Sequence, residues 1–170
     1  LPALSFIATA NAVSYTGATP LFADIDRDNF GLAPGAVERL FTEDCEVVNG
    51  VLIHKASGCR IAATVAVDIF GHPANLSGSA GGLAEICTRF SIPLLEDAAE
   101  ALGSQRAGRP CGSFGAIGFV SFNGNKIVTT GGGGMLTTND PVLAEKLKHL
   151  TTTARKSGSL AYDHDMVGFN

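Results

Sequence analysis

The stretch Leu94-Leu95-Glu96-Asp97-Ala98-Ala99-Glu100 decides how the chain folds, because an apolar run passes directly into a group of acids. We predict a β-strand over residues 92–96. A second apolar run, residues 61–70, ends at Gly71-His72-Pro73. Continuous apolar runs of this length are typical of strands buried on both faces of a parallel sheet. Asp97 is therefore expected to follow a buried strand.

Working outward, strand-like and helix-like segments alternate along the chain. Further strands are predicted over residues 20–26, 116–122 and 134–138. Helices are predicted over residues 32–41 and 77–90, and a third, capped by Asp140-Pro141, through about residue 151. The alternation predicts an α/β fold, a three-layer arrangement in which helices flank a mostly parallel sheet. Ligands of such sheets lie beyond the carboxyl ends of the strands, where Asp97 and Lys126 are expected.

Residues 43–60 interrupt this alternation. They contain Asn49-Gly50 and Ser57-Gly58, which are typical turn sequences. We predict an inserted hairpin or loop here.

The bulk composition narrows the class of protein. The 170 residues are 45% hydrophobic and 16% charged, with a net charge of −4, which favours a sizeable core. No basic run, transmembrane-length apolar stretch or signal peptide is visible, so we expect no nucleic-acid or membrane partner and a cytoplasmic location. The 4 cysteines form no CxxC pair and are expected to be free thiols. The histidines lack metal-ligand spacing, so no metal is predicted.

Lys126 closes the run Ser121-Phe122-Asn123-Gly124-Asn125-Lys126, shortly before glycines 131–134. Most lysines are simply solvated, and that reading stays open. A lysine desolvated beside glycines would instead lose its proton readily and attack an aldehyde. The glycine tract itself is better explained as a turn between two strands than as a phosphate-binding nest.

Asp97 offers two interpretations that the sequence leaves open. It could cap a short helix over residues 98–102. It could instead hold the pyridine nitrogen of pyridoxal phosphate protonated, which keeps that ring an electron sink. A lysine near a glycine tract and an acid at the end of an apolar strand are the two groups that such a cofactor needs. Ser121 is either an ordinary strand serine or a donor to the cofactor phosphate.

Several ordered motifs together resemble the DegT/DnrJ/EryC1/StrS family of pyridoxal phosphate-dependent sugar aminotransferases. They run from Ser5-Phe6-Ile7-Ala8-Thr9 through Phe70-Gly71-His72-Pro73 and Glu96-Asp97-Ala98-Ala99-Glu100 to Ser121-Phe122-Asn123-Gly124-Asn125-Lys126 and Gly168-Phe169-Asn170. The resemblance covers nearly the whole chain. Within the family, three features are most similar to the LegC-type branch: the run Ser-Phe-Asn-Gly-Asn-Lys, the extra segment near residues 45–60 and the Gly-His-Pro motif.

The resemblance implies a fold and a set of residue roles. The fold is the large domain of the type I pyridoxal phosphate-dependent transferases. Lys126 would join the cofactor aldehyde and later move a proton, and Asp97 would hold the ring nitrogen. Phe6 would stack on the ring, and Ser121 would bind the phosphate. Asn170 would reach the phosphate of a neighbouring subunit, which implies a homodimer with shared active sites.

Two positions depart from the pattern of many relatives. Glu100 stands where they carry glutamine, which contacts the 3′-oxygen of the cofactor. An ionised glutamate only accepts hydrogen bonds, so Glu100 is either protonated, bridged by water or without this contact. Asp68 stands where many relatives carry histidine.

The implied activity is transfer of an amino group from glutamate to a keto carbon of a nucleotide-linked sugar. The resemblance points to UDP-4-keto-6-deoxy-HexNAc, for surface polysaccharide or nonulosonic acid biosynthesis. Residues 1–170 would be part of the large domain, with an N-terminal segment and a C-terminal small domain outside the chain.

Three alternatives remain beside this function. Pyridoxamine-dependent sugar dehydratases replace the lysine with histidine, which Lys126 argues against. A non-catalytic sugar-nucleotide-binding or regulatory relative would keep the fold without the chemistry. A generic nucleotide-binding domain is disfavoured because no phosphate-binding fingerprint is present.

Overall fold

The computed structural model describes residues 1–78, 81–156, 158 and 162–169. Its α-helices are α1 (Ile7–Tyr15), α2 (Pro34–Arg39), α3 (Leu83–Arg89) and α4 (Pro141–Leu150). Its strands are β1 (Cys45–Val48), β2 (Val51–His54), β3 (Thr64–Val67), β4 (Leu94–Asp97), β5 (Gln105–Arg106), β6 (Arg109–Pro110), β7 (Ile117–Ser121) and β8 (Gly134–Thr137).

The central sheet has the strand order β3-β4-β7-β8. Strands β3, β4 and β7 run parallel, with Val67 beside Asp97 and Asp97 beside Phe119. Strand β8 returns antiparallel to β7 and places Gly134 beside Ser121. The predicted α/β fold with a mostly parallel sheet is confirmed. The carboxyl ends of β3, β4 and β7 meet at one edge of this sheet.

The main hydrophobic core lies where α2 and α3 pack against the sheet. Val37 of α2 and Ile86 of α3 share it with Ala66 and Leu94 of the strands. All of β3 is buried, as predicted from its continuous apolar run. Burying a Leu or Ile side chain contributes roughly 1.5–3 kcal/mol, so this cluster fixes the sheet and hence its edge.

The inserted segment forms the predicted hairpin. Strands β1 and β2 pair antiparallel, with Val48 opposite Val51. Asn49 and Gly50 connect them with φ angles of 51° and 78°. Two-residue hairpin turns need positive φ at both positions, which explains the Asn-Gly pair. Cys45 and Leu52 anchor the hairpin in the main core.

One predicted strand and several predicted boundaries were wrong. The strand expected over residues 61–70 spans only Thr64–Val67. Residues 20–26 form no strand, because Ala23 bridges to Pro2 while Ile25 bridges to Leu32, so each makes a single pairing with a different partner. Helix α3 begins only at Leu83, since the preceding Gly82 packs against Ser77, 2.6 Å from where a Cβ would stand. The helix predicted over residues 32–41 ends at Arg39 and continues as a π-helical turn, Leu40–Asp44.

Helix α1 was missed by the sequence analysis. Only Thr9 and Ala10 are buried along its length, and no side chain caps its start. Without an apolar stripe at helical spacing, the sequence offered no periodic signal.

None of the helices in the described part of the chain has both the length and the apolarity needed to cross a bilayer.

Candidate active site

Asp97 is the last residue of β4 and lies at the carboxyl edge of the sheet, with 8% of its surface exposed. The Thr9 hydroxyl donates to Asp97 Oδ2 at 2.7 Å, and the Ala99 N–H donates to Oδ1 at 3.1 Å. No helix follows over residues 98–102, so the helix-cap interpretation of Asp97 was wrong. A carboxylate has about four lone-pair sites, so these two donors leave room for another.

Lys126 lies in the connection between β7 and β8. Its side chain is only 14% exposed, and Nζ donates to Glu100 Oε1 at 3.2 Å. The lysine is therefore held in a largely buried position, not extended into solvent. The glycine tract that follows folds as a turn, with φ angles of 84° at Gly131 and 90° at Gly133. This agrees with the turn interpretation of the tract.

Glu100 joins three segments at this edge. Besides accepting from Lys126, it accepts the Phe70 N–H on Oε2 at 3.0 Å. Phe70 has a φ of 55°, a left-handed conformation that bulky residues seldom adopt. At Gly71, an added Cβ would lie 3.0 Å from the Glu100 carbonyl oxygen. The turn after β3 thus packs closely against Glu100.

Of the other predicted site residues, the structure describes Phe6 and Ser121 but not Asn170. Phe6 directly precedes α1 and is 70% exposed, one helical turn before the Thr9 that binds Asp97. Ser121 ends β7, and its Oγ accepts the Asn123 N–H at 3.2 Å. Asn170 lies outside the described residues. The functional roles of Lys126, Asp97, Ser121, Phe6, Glu100 and Asn170 stay predictions.

A separate polar cluster lies behind the edge, formed by Asp68, Glu96 and Cys111. Their ligating atoms lie within 4.8 Å of one another. Both Glu96 oxygens already accept backbone N–H groups, from Gly112 at 2.6 Å and Phe114 at 2.7 Å. Burial raises the pKa of the Cys111 thiol to about 12, helped by the Asp68 charge. We interpret the cluster as a place that holds a proton and not as a metal site.

Asp68 is the residue on which that interpretation depends. Its Oδ1 accepts the Ala74 N–H at 2.8 Å, whereas Oδ2 is buried without a partner among the described residues. Burial raises the pKa of Asp68 to about 7, against the lowering effect of the Ala74 N–H, and the Glu96 charge adds to the rise. A proton on Oδ2 turns the orphaned oxygen into a donor that faces Glu96.

An apolar cavity of about 570 Å³ lies elsewhere in the molecule. It lies beside the end of α1 and α2 and is lined by Val13, Leu21, Val37 and Ile61, among others. None of the predicted site residues lines this cavity. It belongs to the main core side of the fold and has no part in the site at the sheet edge.

The residues at the sheet edge fit pyridoxal phosphate. A largely buried amine on Lys126 suits an aldehyde, and the Asp97 carboxylate has lone pairs left for a ring N–H. The exposed ring of Phe6 is free to cover an aromatic face. These groups come from elements that the sheet brings together at the carboxyl ends of neighbouring strands.

Sequence reasoning missed Thr9 and Phe70 at this edge. Thr9 is a buried polar residue in a helix that buries almost nothing else, but α1 itself gave no periodic signal. Phe70 stood inside the motif Phe70-Gly71-His72-Pro73, where a glycine and a proline mark a turn. That turn signal could have shown that its N–H, and not only its ring, was available for contact.

The central sheet and the residues at its carboxyl edge define the class of the protein. The chain has the large-domain fold of the type I pyridoxal phosphate-dependent transferases. The chain belongs to the DegT/DnrJ/EryC1/StrS aminotransferase family, whose family model matches residues 1–170.

Individual relatives agree with this placement. The chain is 37% identical over 166 residues to EpsN of Bacillus subtilis (strain 168), which is named as a candidate pyridoxal phosphate-dependent aminotransferase. The matched region covers 98% of this chain and 39% of EpsN. It is 34% identical to GDP-perosamine synthase of Escherichia coli O157:H7, over 100% of this chain and 41% of the synthase. A solved aminotransferase of the same family from Brucella abortus superposes with a TM-score of 0.81 and 30% identity, over 99% of this chain and 42% of that structure.

The chain spans about two fifths of the length of the curated relatives it matches. The branch within the family is not confirmed by these relatives.

Proposed function

We propose that the chain forms part of the large domain of a pyridoxal phosphate-dependent aminotransferase that acts on a nucleotide-linked sugar. One observation carries the proposal. At one edge of the sheet, a lysine amine that is largely buried contacts Glu100, three residues beyond the buried acid Asp97. An acid at the end of β4 and an amine in the connection that follows β7 suit the two ends of a pyridine aldehyde.

When bound, pyridoxal phosphate supplies a conjugated ring that accepts the electron pair left when a substrate carbon loses its proton. Lys126 would hold the cofactor at its aldehyde carbon and would move a proton on Nζ, and Glu100 accepts a hydrogen bond from that amine at 3.2 Å. Asp97 would accept the ring N–H. Phe6 would cover the ring face, and Ser121 and Asn170 would bind the phosphate, Asn170 from a neighbouring subunit.

The proposed amino donor is glutamate, and the proposed acceptor is a keto carbon of a sugar linked to a nucleotide. The name of the perosamine synthase supports a nucleotide-linked sugar. Within that class we propose UDP-4-keto-6-deoxy-HexNAc, because the motifs resemble the LegC-type branch. The same proposal includes a cytoplasmic homodimer that serves surface polysaccharide or nonulosonic acid biosynthesis.

The test is an amino-transfer assay on the full-length protein. Glutamate is supplied with a panel of UDP-, GDP- and dTDP-linked keto sugars, and formation of 2-oxoglutarate and amino sugar is measured. Wild type is expected to turn over at least one sugar. Lys126→Ala is expected to lose more than about 10³-fold in kcat, because it removes the group that carries the proton.

The control is Lys146→Ala, which removes an exposed lysine from α4 and should leave the rate unchanged. Turnover by Lys126→Ala at the wild-type rate would remove Lys126 from the mechanism. A wild-type protein that binds the sugar nucleotides but transfers no amino group would instead favour the non-catalytic relative. Loss of the sugar hydroxyl without amination would favour the dehydratase.

A further inference from the structure

Thr9 makes an unusual contact for a residue of an exposed helix. It is 7% exposed, and its hydroxyl donates to Asp97 Oδ2 at 2.7 Å across 88 residues of sequence. The remaining polar side chains of α1 that form hydrogen bonds bond locally, as Ser14 does to the Ala10 carbonyl. Thr9 is thus the point at which α1 is joined to the end of β4.

The contact acts on the carboxylate itself. Oδ1 is held by the Ala99 N–H at 3.1 Å, and Oδ2 is held by Thr9. With one donor on each oxygen, the plane of the carboxylate cannot rotate freely, so its remaining lone pairs point in fixed directions. Hydrogen bonds to an ionised acceptor are also about twice as strong as those between neutral groups.

The same residue positions a second group of the site. Phe6 directly precedes α1, and its carbonyl accepts the Thr9 N–H at 3.2 Å. Backbone hydrogen bonds tie residues 1–3 to the segment 21–23, and within α1 only Thr9 and Ala10 are buried. The Thr9 hydroxyl therefore joins the start of α1, and with it the backbone of Phe6, to the carboxylate of Asp97.

We propose that Thr9 is a positioning residue for the cofactor, which orients the Asp97 carboxylate toward the ring nitrogen and holds Phe6 beside it. This inference rests on the proposed function, since it concerns the same bound ring. Thr9 touches neither substrate nor cofactor in this account and acts only through Asp97 and Phe6.

The experiment compares Thr9→Val, which keeps the shape but loses the hydroxyl, with Thr9→Ser, which keeps the hydroxyl. Thr16→Val is the matched control, because Thr16 lies at the end of α1 and its hydroxyl bonds only the Val13 carbonyl at 2.7 Å. Three properties of the full-length protein are measured: the pH midpoint of the visible absorbance of bound pyridoxal phosphate, the Kd for the cofactor, and kcat and KM for the sugar.

Thr9→Val is expected to shift the absorbance midpoint, to weaken cofactor binding, and to lower kcat roughly tenfold with KM for the sugar little changed. The size is taken by analogy with the partners that orient metal ligands, whose loss typically costs about 10–100-fold in affinity or activity. Thr9→Ser should restore most of each property, and Thr16→Val should match wild type. A purely structural Thr9 would lower only the melting temperature of the cofactor-free protein.

The proposal is overturned if Thr9→Val keeps the wild-type absorbance midpoint, Kd and kcat. Should Thr9→Val not fold, Thr9→Ala is compared with Thr9→Ser in the same way. If Thr9→Ala also fails to fold, the hydroxyl holds the fold and the positioning role is overturned. A wild type that binds the cofactor but aminates no sugar overturns the proposed acceptor only, because the absorbance and Kd still decide on Thr9.

Discussion

Asp68 couples the stability of the fold to pH at the scale of a single residue. Burial raises its pKa from the ordinary 3.8 to about 7. Between these values the folded protein holds a proton that the unfolded chain has lost, so the free energy of unfolding falls as pH rises through this window. Below about pH 4 both states hold the proton, and above about pH 7 neither does, so this contribution no longer changes.

The prediction is tested with Asp68→Asn, which is neutral at every pH and whose amide can donate toward Glu96. Unfolding by urea is followed from about pH 5 to about pH 8 for both proteins. The stability of wild type relative to Asp68→Asn is expected to fall from about pH 5 to about pH 7 and then to level off. Asp28→Asn, at an exposed position, reports the effect of removing a surface carboxyl. Parallel curves for wild type and Asp68→Asn would contradict a buried proton on Asp68.

Helix α4 shows how local sequence determines one element. Asp140 Oδ1 accepts the N–H groups of Val142 at 2.9 Å and Leu143 at 3.2 Å, and Pro141 starts the helix. The helix buries none of its residues completely, so its start depends on this cap more than on packing.

Asp140→Ala is therefore expected to destabilise α4 locally by about 1 kcal/mol, the usual cost of losing an N-cap. Amide hydrogen exchange should quicken along α4, while exchange in β3 and β4 stays as in wild type. Glu145→Ala, an exposed change inside the same helix, is the control. Equal protection in Asp140→Ala and wild type would show that tertiary contacts, and not the cap, hold the helix.

The elements that sequence predicted well are those whose signals are local. The apolar run of β3, the cap of α4 and the Asn49-Gly50 turn each lie within a few residues of the structure they produce. Helix α1 was missed because its position depends on a bond from Thr9 to Asp97, 88 residues away. Residues 20–26 were predicted wrongly because an apolar run does not show that its pairing partners lie on two different segments.

At the scale of the whole molecule, the sheet gathers segments that are far apart in sequence. Thr9 follows the chain start, Glu100 follows β4, and Lys126 follows β7, yet all lie at or beside the carboxyl edge. The motifs identified Lys126, Asp97 and Glu100 as candidates, because each motif lies at or shortly after the end of a recognisable strand. They could not show that Glu100 joins Lys126 to Phe70, since side-chain contacts between segments leave no trace in one sequence.

The central claim, that Lys126 is the residue that bonds to pyridoxal phosphate, is tested most directly by borohydride reduction of the full-length protein with cofactor bound. Reduction makes the bond between lysine and cofactor permanent, and peptide mass spectrometry then finds the labelled residue. We expect the label on Lys126 and its loss in Lys126→Ala, with Lys146→Ala labelled as wild type. A label on another lysine, or no label on a protein that has bound the cofactor, would contradict the account.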